Sequence, residues 1–286
     1  MQLERVGEAM VLRMRAGKAN AMGPAWLDRM ETLLDDALAA RTRALVITGY
    51  EGFFSAGLDL PVLDALDDEA MGAFMSGFSR TMLRIFELPM PVVAAVNGHA
   101  IAGGCVLAAA CDLRLMSGGT IGLSEMRVGV PFPAVPLEVM RHLMGPAVWR
   151  LVWDAELLDP AAAQAIGLID EVVAPESLLD AALAAAARLA RISPEVFAYT
   201  KRQLQGPARD RLASVSQADE DASTQMWASP AVLAAINGFM SGLRQQSSPG
   251  EASGVSPRSI IRTPPIACPM KGNDHRAGQK PDGTYP

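Results

Sequence analysis

Two turns in this chain set glycines beside apolar runs in a way that suits chemistry on a carbonyl group. The first is Phe53-Phe54-Ser55-Ala56-Gly57-Leu58-Asp59-Leu60, shortly after the apolar run ALVIT at 44–48. The second is Val96-Asn97-Gly98-His99-Ala100-Ile101-Ala102-Gly103-Gly104-Cys105, where PVVAAV at 91–96 turns into a helix. Glycines without a Cβ let a substrate approach the backbone, and the first N–H groups of a helix have no partner within it. Two such loops together form an oxyanion hole for an oxygen that gains charge during reaction. Taken singly, each turn reads first as local geometry. Neither is a phosphate loop, because G-x-x-x-x-G-K-[ST] and G-x-G-x-x-G are absent from both sites.

Several side chains qualify as proton carriers or anchors. His99, within the second turn, carries an imidazole, a side chain that can serve as a general base. Glu125, in GLSEMRVGVP, and Glu138 read on residue type alone as surface charges. Trp149 and Trp153 are four apart on one helical face and suit core or subunit packing. Cys268 and His275 lack the second pair that a metal site needs, so no metal is expected.

The elements that must position these residues follow from periodicity. Runs 44–48 and 91–96 are short, apolar and ended by glycine or Asn-Gly, which predicts buried strands. Between them, Trp26, Met30, Leu33, Leu34, Ala37 and Leu38 recur at helical spacing over 25–40. Phe74, Phe78, Met82, Leu83, Ile85 and Phe86 predict a second helix that stops near Pro89. Beyond Gly104, CVLAAACD begins a buried helix and 113–116 a strand. Residues 137–144, 147–157 and 161–166 then read as helices broken at Gly145-Pro146 and Asp159-Pro160. A short strand or extended edge over 168–173 precedes helices at 177–190, 194–204 and 230–243. Alternation of strand and helix predicts an α/β layer architecture.

The chain has 286 residues, half of them hydrophobic and 20% charged, enough for a large core. Its net charge of −6, with no dense basic run, disfavours nucleic acid as a partner. Glycines and Asn97 interrupt the most apolar stretch, so no membrane span is expected. Three cysteines without paired spacing, and an N-terminus without a long apolar run, predict reduced thiols and a cytoplasmic location. Seven prolines and five glycines among the last 42 residues predict a flexible tail.

Motifs in order along the chain resemble the enoyl-CoA hydratase/isomerase, or crotonase, family. They are GKANAM at 17–22, FSAGLDL at 54–60, PVVAAVNGHAIAGGCVLAAACDLRLM at 91–116, IGLSEMRVGVPFP at 121–133 and AAAQAIGLIDEVV at 161–173. This resemblance implies a ClpP-like spiral of ββα repeats over 1–190 and a helical C-terminal region over 191–243 that builds trimers or dimers of trimers. Residues 244–286 form the tail. It also implies fatty-acyl-CoA metabolism, no cofactor beyond the CoA of the substrate, and backbone oxyanion donors at Ala56 and Gly103. A CoA groove is implied near Lys18, Ala19, Asn20, Ala56 and Leu58, although Lys18 also reads as a solvated charge. Family hydratases carry two glutamates. The first falls on Val106 here and the second on Glu125, whose apolar neighbours would bury it and raise its pKa. In the family turn His99 becomes a packing residue. A single glutamate implies isomerisation of 3-enoyl-CoA to 2-enoyl-CoA. Hydration, another acyl-CoA lyase or hydrolase reaction, and a non-catalytic CoA-binding or assembly role are the alternatives.

Overall fold

The computed structural model describes residues 1–246. Its strands are β1 (Gln2–Val6), β2 (Ala9–Arg13), β3 (Ala44–Thr48), β4 (Phe53–Ser55), β5 (Val92–Val96), β6 (His99–Ile101), β7 (Leu113–Met116), β8 (Ile121–Gly122) and β9 (Glu171–Val172). The helices are α1 (Pro24–Ala39), α2 (Leu60–Leu63), α3 (Asp68–Glu87), α4 (Gly103–Ala109), α5 (Glu125–Val128), α6 (Ala134–Met144), α7 (Val148–Asp154), α8 (Pro160–Ala165), α9 (Leu178–Ala190), α10 (Pro194–Ala213), α11 (Gln217–Trp227) and α12 (Pro230–Gln246).

The larger sheet runs β1-β2-β3-β5-β7-β9 and is parallel apart from the β1–β2 hairpin. A second sheet, β4-β6-β8, is wholly parallel. Each winding of the chain therefore adds one strand to each sheet before a helix: β3 and β4, then β5 and β6, then β7 and β8. This is the crotonase-type spiral of ββα repeats. Strands β3 and β5 are buried throughout because both faces are covered. Leu45, Ile47, Val92 and Ala94 face the main core, while Val46, Val93 and Ala95 pack on Ala182, Ala186 and Ala190 of α9. That two-sided burial is why these strands read as continuous apolar runs.

Helix α1 buries Trp26, Met30, Leu33, Leu34 and Ala37, each contributing on the order of 1–3 kcal/mol according to size. Leu38 sits at the edge of that stripe and is 39% exposed. Asp67 caps α3 by accepting the Ala70 N–H at 2.8 Å, and the helix stops before Pro89. Helix α4 has no solvent face: all seven residues are buried. Lys201 of α10 reaches Asp112 at 2.9 Å, and the same carboxylate accepts the Val92 N–H at 2.8 Å. Glu138 is not a surface charge; it is buried between Arg141 and Arg211, each 2.7 Å away, and joins α6 to α10.

Several boundaries differ from the sequence reading. The helix expected over 147–157 ends at Asp154, because Ala155 turns left-handed at φ 48 and Leu158 swings back to bridge Ile121. The strand expected over 168–173 shortens to Glu171–Val172, paired with β7 at the edge of the sheet among the described residues. Helix α10 continues past 204 and carries Pro207 within it. Helix α11 was not expected; its polar sequence is held through Trp227, which is buried, and through Thr224 against Gly72 on α3. Helix α12 runs to Gln246, so the boundary at 243 falls inside it. The rest of the proline-rich tail, with Cys268 and His275, lies outside the described residues.

Candidate active site

The three strands of the small sheet run parallel, so their carboxyl ends open on the same side. Adjacent strand ends in a parallel sheet are where loops converge on a ligand. Leu58 follows β4 by three residues, Gly103 follows β6 by two, and Glu125 follows β8 by three. The registers Ser55↔Ala100 and Ile101↔Gly122 hold these ends together, reinforced by Ala102 N–H to Gly122 O at 2.9 Å.

At the first turn, Met22 N–H donates to Gly57 O at 2.8 Å and Asp59 N–H to Met22 O at 2.9 Å. In such a parallel bridge the flanking residues make the bonds, so the N–H of Leu58 points away from Met22. That N–H meets no acceptor among the described residues. Gly57 has φ +88, and a Cβ there would lie 2.8 Å from Ile101 O and 3.1 Å from Gly103 N. The two turns touch at this point, and only glycine fits. Gly103 is the first residue of α4, whose first internal bond is Val106 N–H to Ala102 O at 3.1 Å. Its own N–H is one of the unpaired donors of the helix start.

The N–H groups left without a partner where the two turns meet are therefore those of Leu58 and Gly103. Ala56, assigned that role from the family pattern, gives its N–H to Ala19 O at 3.0 Å, and Gly57 gives its own to Ser55 Oγ at 3.1 Å. Gly57's left-handed φ breaks the alternation of an extended chain, so Ala56 and Leu58 do not share a direction. Asn20 is likewise not available to CoA. Fully buried, its side chain accepts from Ala16 N–H at 2.8 Å and donates to Met14 O and Phe54 O, each at 3.1 Å. It fastens the 14–22 loop to β4. Asn20→Ala leaves those backbone groups unpaired and is expected to cost about 3 kcal/mol or more, read as a lower urea midpoint. Lys18 is exposed, and Ala19 and Leu58 are half-buried.

Glu125 opens α5 and is 9% exposed, and its Oε2 is buried without a hydrogen-bond partner. Burial pushes its carboxyl up to about 7, against weaker opposing effects of the Glu125 and Ser124 backbone. Among the described residues no cation offsets that rise, so an apolar setting controls this acid. Burial and then the nearby Glu125 carboxylate raise the Cys105 thiol, which places α4 beside the glutamate. Val106, the next residue on α4, is 1% exposed. Glu125 and Glu138 are the buried acids among the described residues, and Glu138 is occupied by two arginines.

His99 stands at the start of β6, away from the strand ends. Its Nδ1 accepts the Thr120 N–H at 3.1 Å and its ring lies 5.2 Å from that of Phe53, so it braces the sheet. Trp149 and Trp153 are each 62% exposed with ring centroids 6.4 Å apart, which excludes the core reading. Sequence reasoning missed Arg127, which donates to Ala155 O at 2.5 Å and ties α5 to the strap after α7. Only the fold brings residues 127 and 155 together. Arg127→Met is expected to lower kcat about ten- to a hundredfold by letting Glu125 shift, with acyl-CoA affinity kept and Arg127→Lys partly restoring the rate.

The family model for enoyl-CoA hydratase/isomerase matches residues 7–243, and the chain belongs to that family. It is an enzyme of the crotonase superfamily, whose members act on acyl-CoA substrates. A putative enoyl-CoA hydratase from Thermus thermophilus is 32% identical over 209 residues, 71% of this chain and 83% of that protein. Enoyl-CoA delta isomerase 1, mitochondrial, from Rattus norvegicus is 25% identical over 252 residues, 85% of this chain and 87% of that protein. The crystal structure of human mitochondrial delta3-delta2-enoyl-CoA isomerase superposes with a TM-score of 0.82 at 24% identity, covering 86% of this chain and 99% of the other. That last likeness bears on the fold.

Proposed function

We propose that this enzyme isomerises 3-enoyl-CoA to 2-enoyl-CoA with Glu125 as its one acid-base group. The observation that carries this reading is the buried carboxyl at 125, the one among the described residues that no cation occupies, with Val106 where the family's first glutamate would stand. Glu125 takes the proton from C2, the electron pair moves into a dienolate, and the thioester oxygen accepts from the N–H groups of Leu58 and Gly103. The same carboxylic acid then protonates C4, leaving the double bond between C2 and C3. A carboxyl poised near neutrality suits both halves, since it must give up the proton it has just taken. Hydration needs a second group to orient water, and a buried valine offers none.

Relatives named as hydratases and as isomerases both match, so the distinction rests on the site. Purified protein offered 2-enoyl-CoA and 3-enoyl-CoA separately is expected to convert the second and to add water slowly or not at all to the first. Rapid formation of 3-hydroxyacyl-CoA without isomerisation would overturn the proposal. The rate is expected to rise with pH and level off above about 7, because the base must start ionised.

The substrate's CoA arm runs, on this reading, past Lys18, Ala19 and Leu58, with Leu63, Phe74, Phe78 and Val135 around the acyl chain. Exposed Trp149 and Trp153, with Val196, Tyr199 and Leu204 on α10, support a homo-oligomer, trimer or hexamer, testable by sedimentation. Buried free thiols at Cys105 and Cys111 support a cytoplasmic site of action. No helix among the described residues is long and apolar enough to cross a membrane.

A further inference from the structure

Helix α12 packs against both α2 and α5. The first of these begins two residues after Leu58, and the second begins with Glu125, so one helix spans from the donor turn to the base. Val232, Ile236 and Met240 enter the main core from it. At one end of the contact, Gly129 closes α5 with φ +87, and a Cβ there would lie 3.1 Å from Ala235 Cβ. At the other, Asn237 Nδ2 donates to Asp64 Oδ1 at 2.9 Å, one residue past α2. This bond is exposed, so it fastens the edge of the helix without belonging to the core.

We infer that α12 is the water seal of the Glu125 site, holding solvent off the carboxylic acid between its uptake and return of the proton. The inference rests on the isomerase reading. Ordinary core packing accounts for Val232, Ile236 and Met240. It does not account for a surface tether at the donor side or for the left-handed glycine that admits Ala235 against the turn carrying the base. The chemistry gives the seal a readable consequence. Glu125 carboxylate removes the C2 hydrogen as a proton, becomes a neutral acid and delivers a proton to C4, so the steps balance without water. An acid that meets solvent during the life of the dienolate exchanges its hydrogen. A sealed acid returns the one it took.

The test follows 3-enoyl-CoA in deuterium oxide at low conversion, with mass spectrometry of the hydrogen at C4 of the product. Wild-type protein is expected to place mainly protium there. Asn237→Ala cuts the tether, and Ala235→Leu wedges α12 away from Gly129; neither touches the reacting groups. Each is expected to raise C4 deuterium roughly two- to fivefold, the change in opening that loss of one net hydrogen bond allows. Urea unfolding shows which variants keep the fold, and the exposed position of Asn237 makes that variant the safer of the two. Deuterium at C4 that is already complete in wild type, or unchanged in a folded variant, overturns the seal. Failure of the wild type to isomerise at all, or Glu125→Gln isomerising at the wild-type rate, overturns the function proposal and the seal with it.

Discussion

Glu125→Gln loses about 10²- to 10⁴-fold in kcat, the usual worth of a positioned acid-base group, while acyl-CoA binding is retained. Glutamine keeps the shape of the side chain and cannot take a proton from C2. The same substitution is expected to stabilise the fold. Glu125 holds its proton up to about 7 when folded, against an ordinary value of 4.5, so the folded state binds the extra proton between those pH values. Its contribution to stability is therefore full below about 4.5 and lost as pH rises through about 7. A neutral glutamine escapes that loss and leaves the variant more stable above pH 7 by at most about 3 kcal/mol, with little difference near pH 4.5. Urea titrations at both ends of that range measure the gain. Turnover unchanged by the substitution would remove Glu125 from the mechanism.

Gly57→Ala is expected to be nearly as damaging for a different reason. The added methyl would sit 2.8 Å from Ile101 O and 3.1 Å from Gly103 N, and it would have to do so at φ +88. Backbone cannot yield there without separating the two turns, so the N–H groups of Leu58 and Gly103 no longer converge on one oxygen. Loss of one such donor is worth about 3–4 kcal/mol in the transition state, or 10²- to 10³-fold in kcat. The left-handed strain adds about 1–2 kcal/mol of instability. Steady-state kinetics with a denaturation curve separate the two effects. An active Gly57→Ala enzyme would show that the hole is not built at this crossing.

Much of this site is legible in the sequence because the spiral fold repeats a simple grammar. ALVIT and PVVAAV give the strands buried on both faces, and each glycine turn falls where a strand of the small sheet ends. Motif order singles out Glu125, and its apolar neighbours bury it and raise its carboxyl. The N–H assignment was not legible. Ala56 and Leu58 flank one glycine, and which of them faces the site depends on φ at Gly57 and on the pairing of Met22 with the far side of the turn. Asn20 shows the same limit: a polar residue in a motif loop reads as a ligand contact until its partners, Met14 and Phe54, are seen to use it up. Helix α11 escaped because QADEDASTQMW has little apolar stripe of its own, and its order comes from α3.

The distribution of tryptophan gives the protein a built-in optical contrast. Trp26 and Trp227 lie in the interior, while Trp149 and Trp153 stand in solvent on α7. Their emission should therefore divide into a short-wavelength part that soluble quenchers do not reach and a long-wavelength part that they extinguish. Dilution experiments can use the second part alone: if subunits meet across α7, its quenching falls as protein concentration rises, and replacing both exposed indoles with phenylalanine leaves a signal that reports only unfolding.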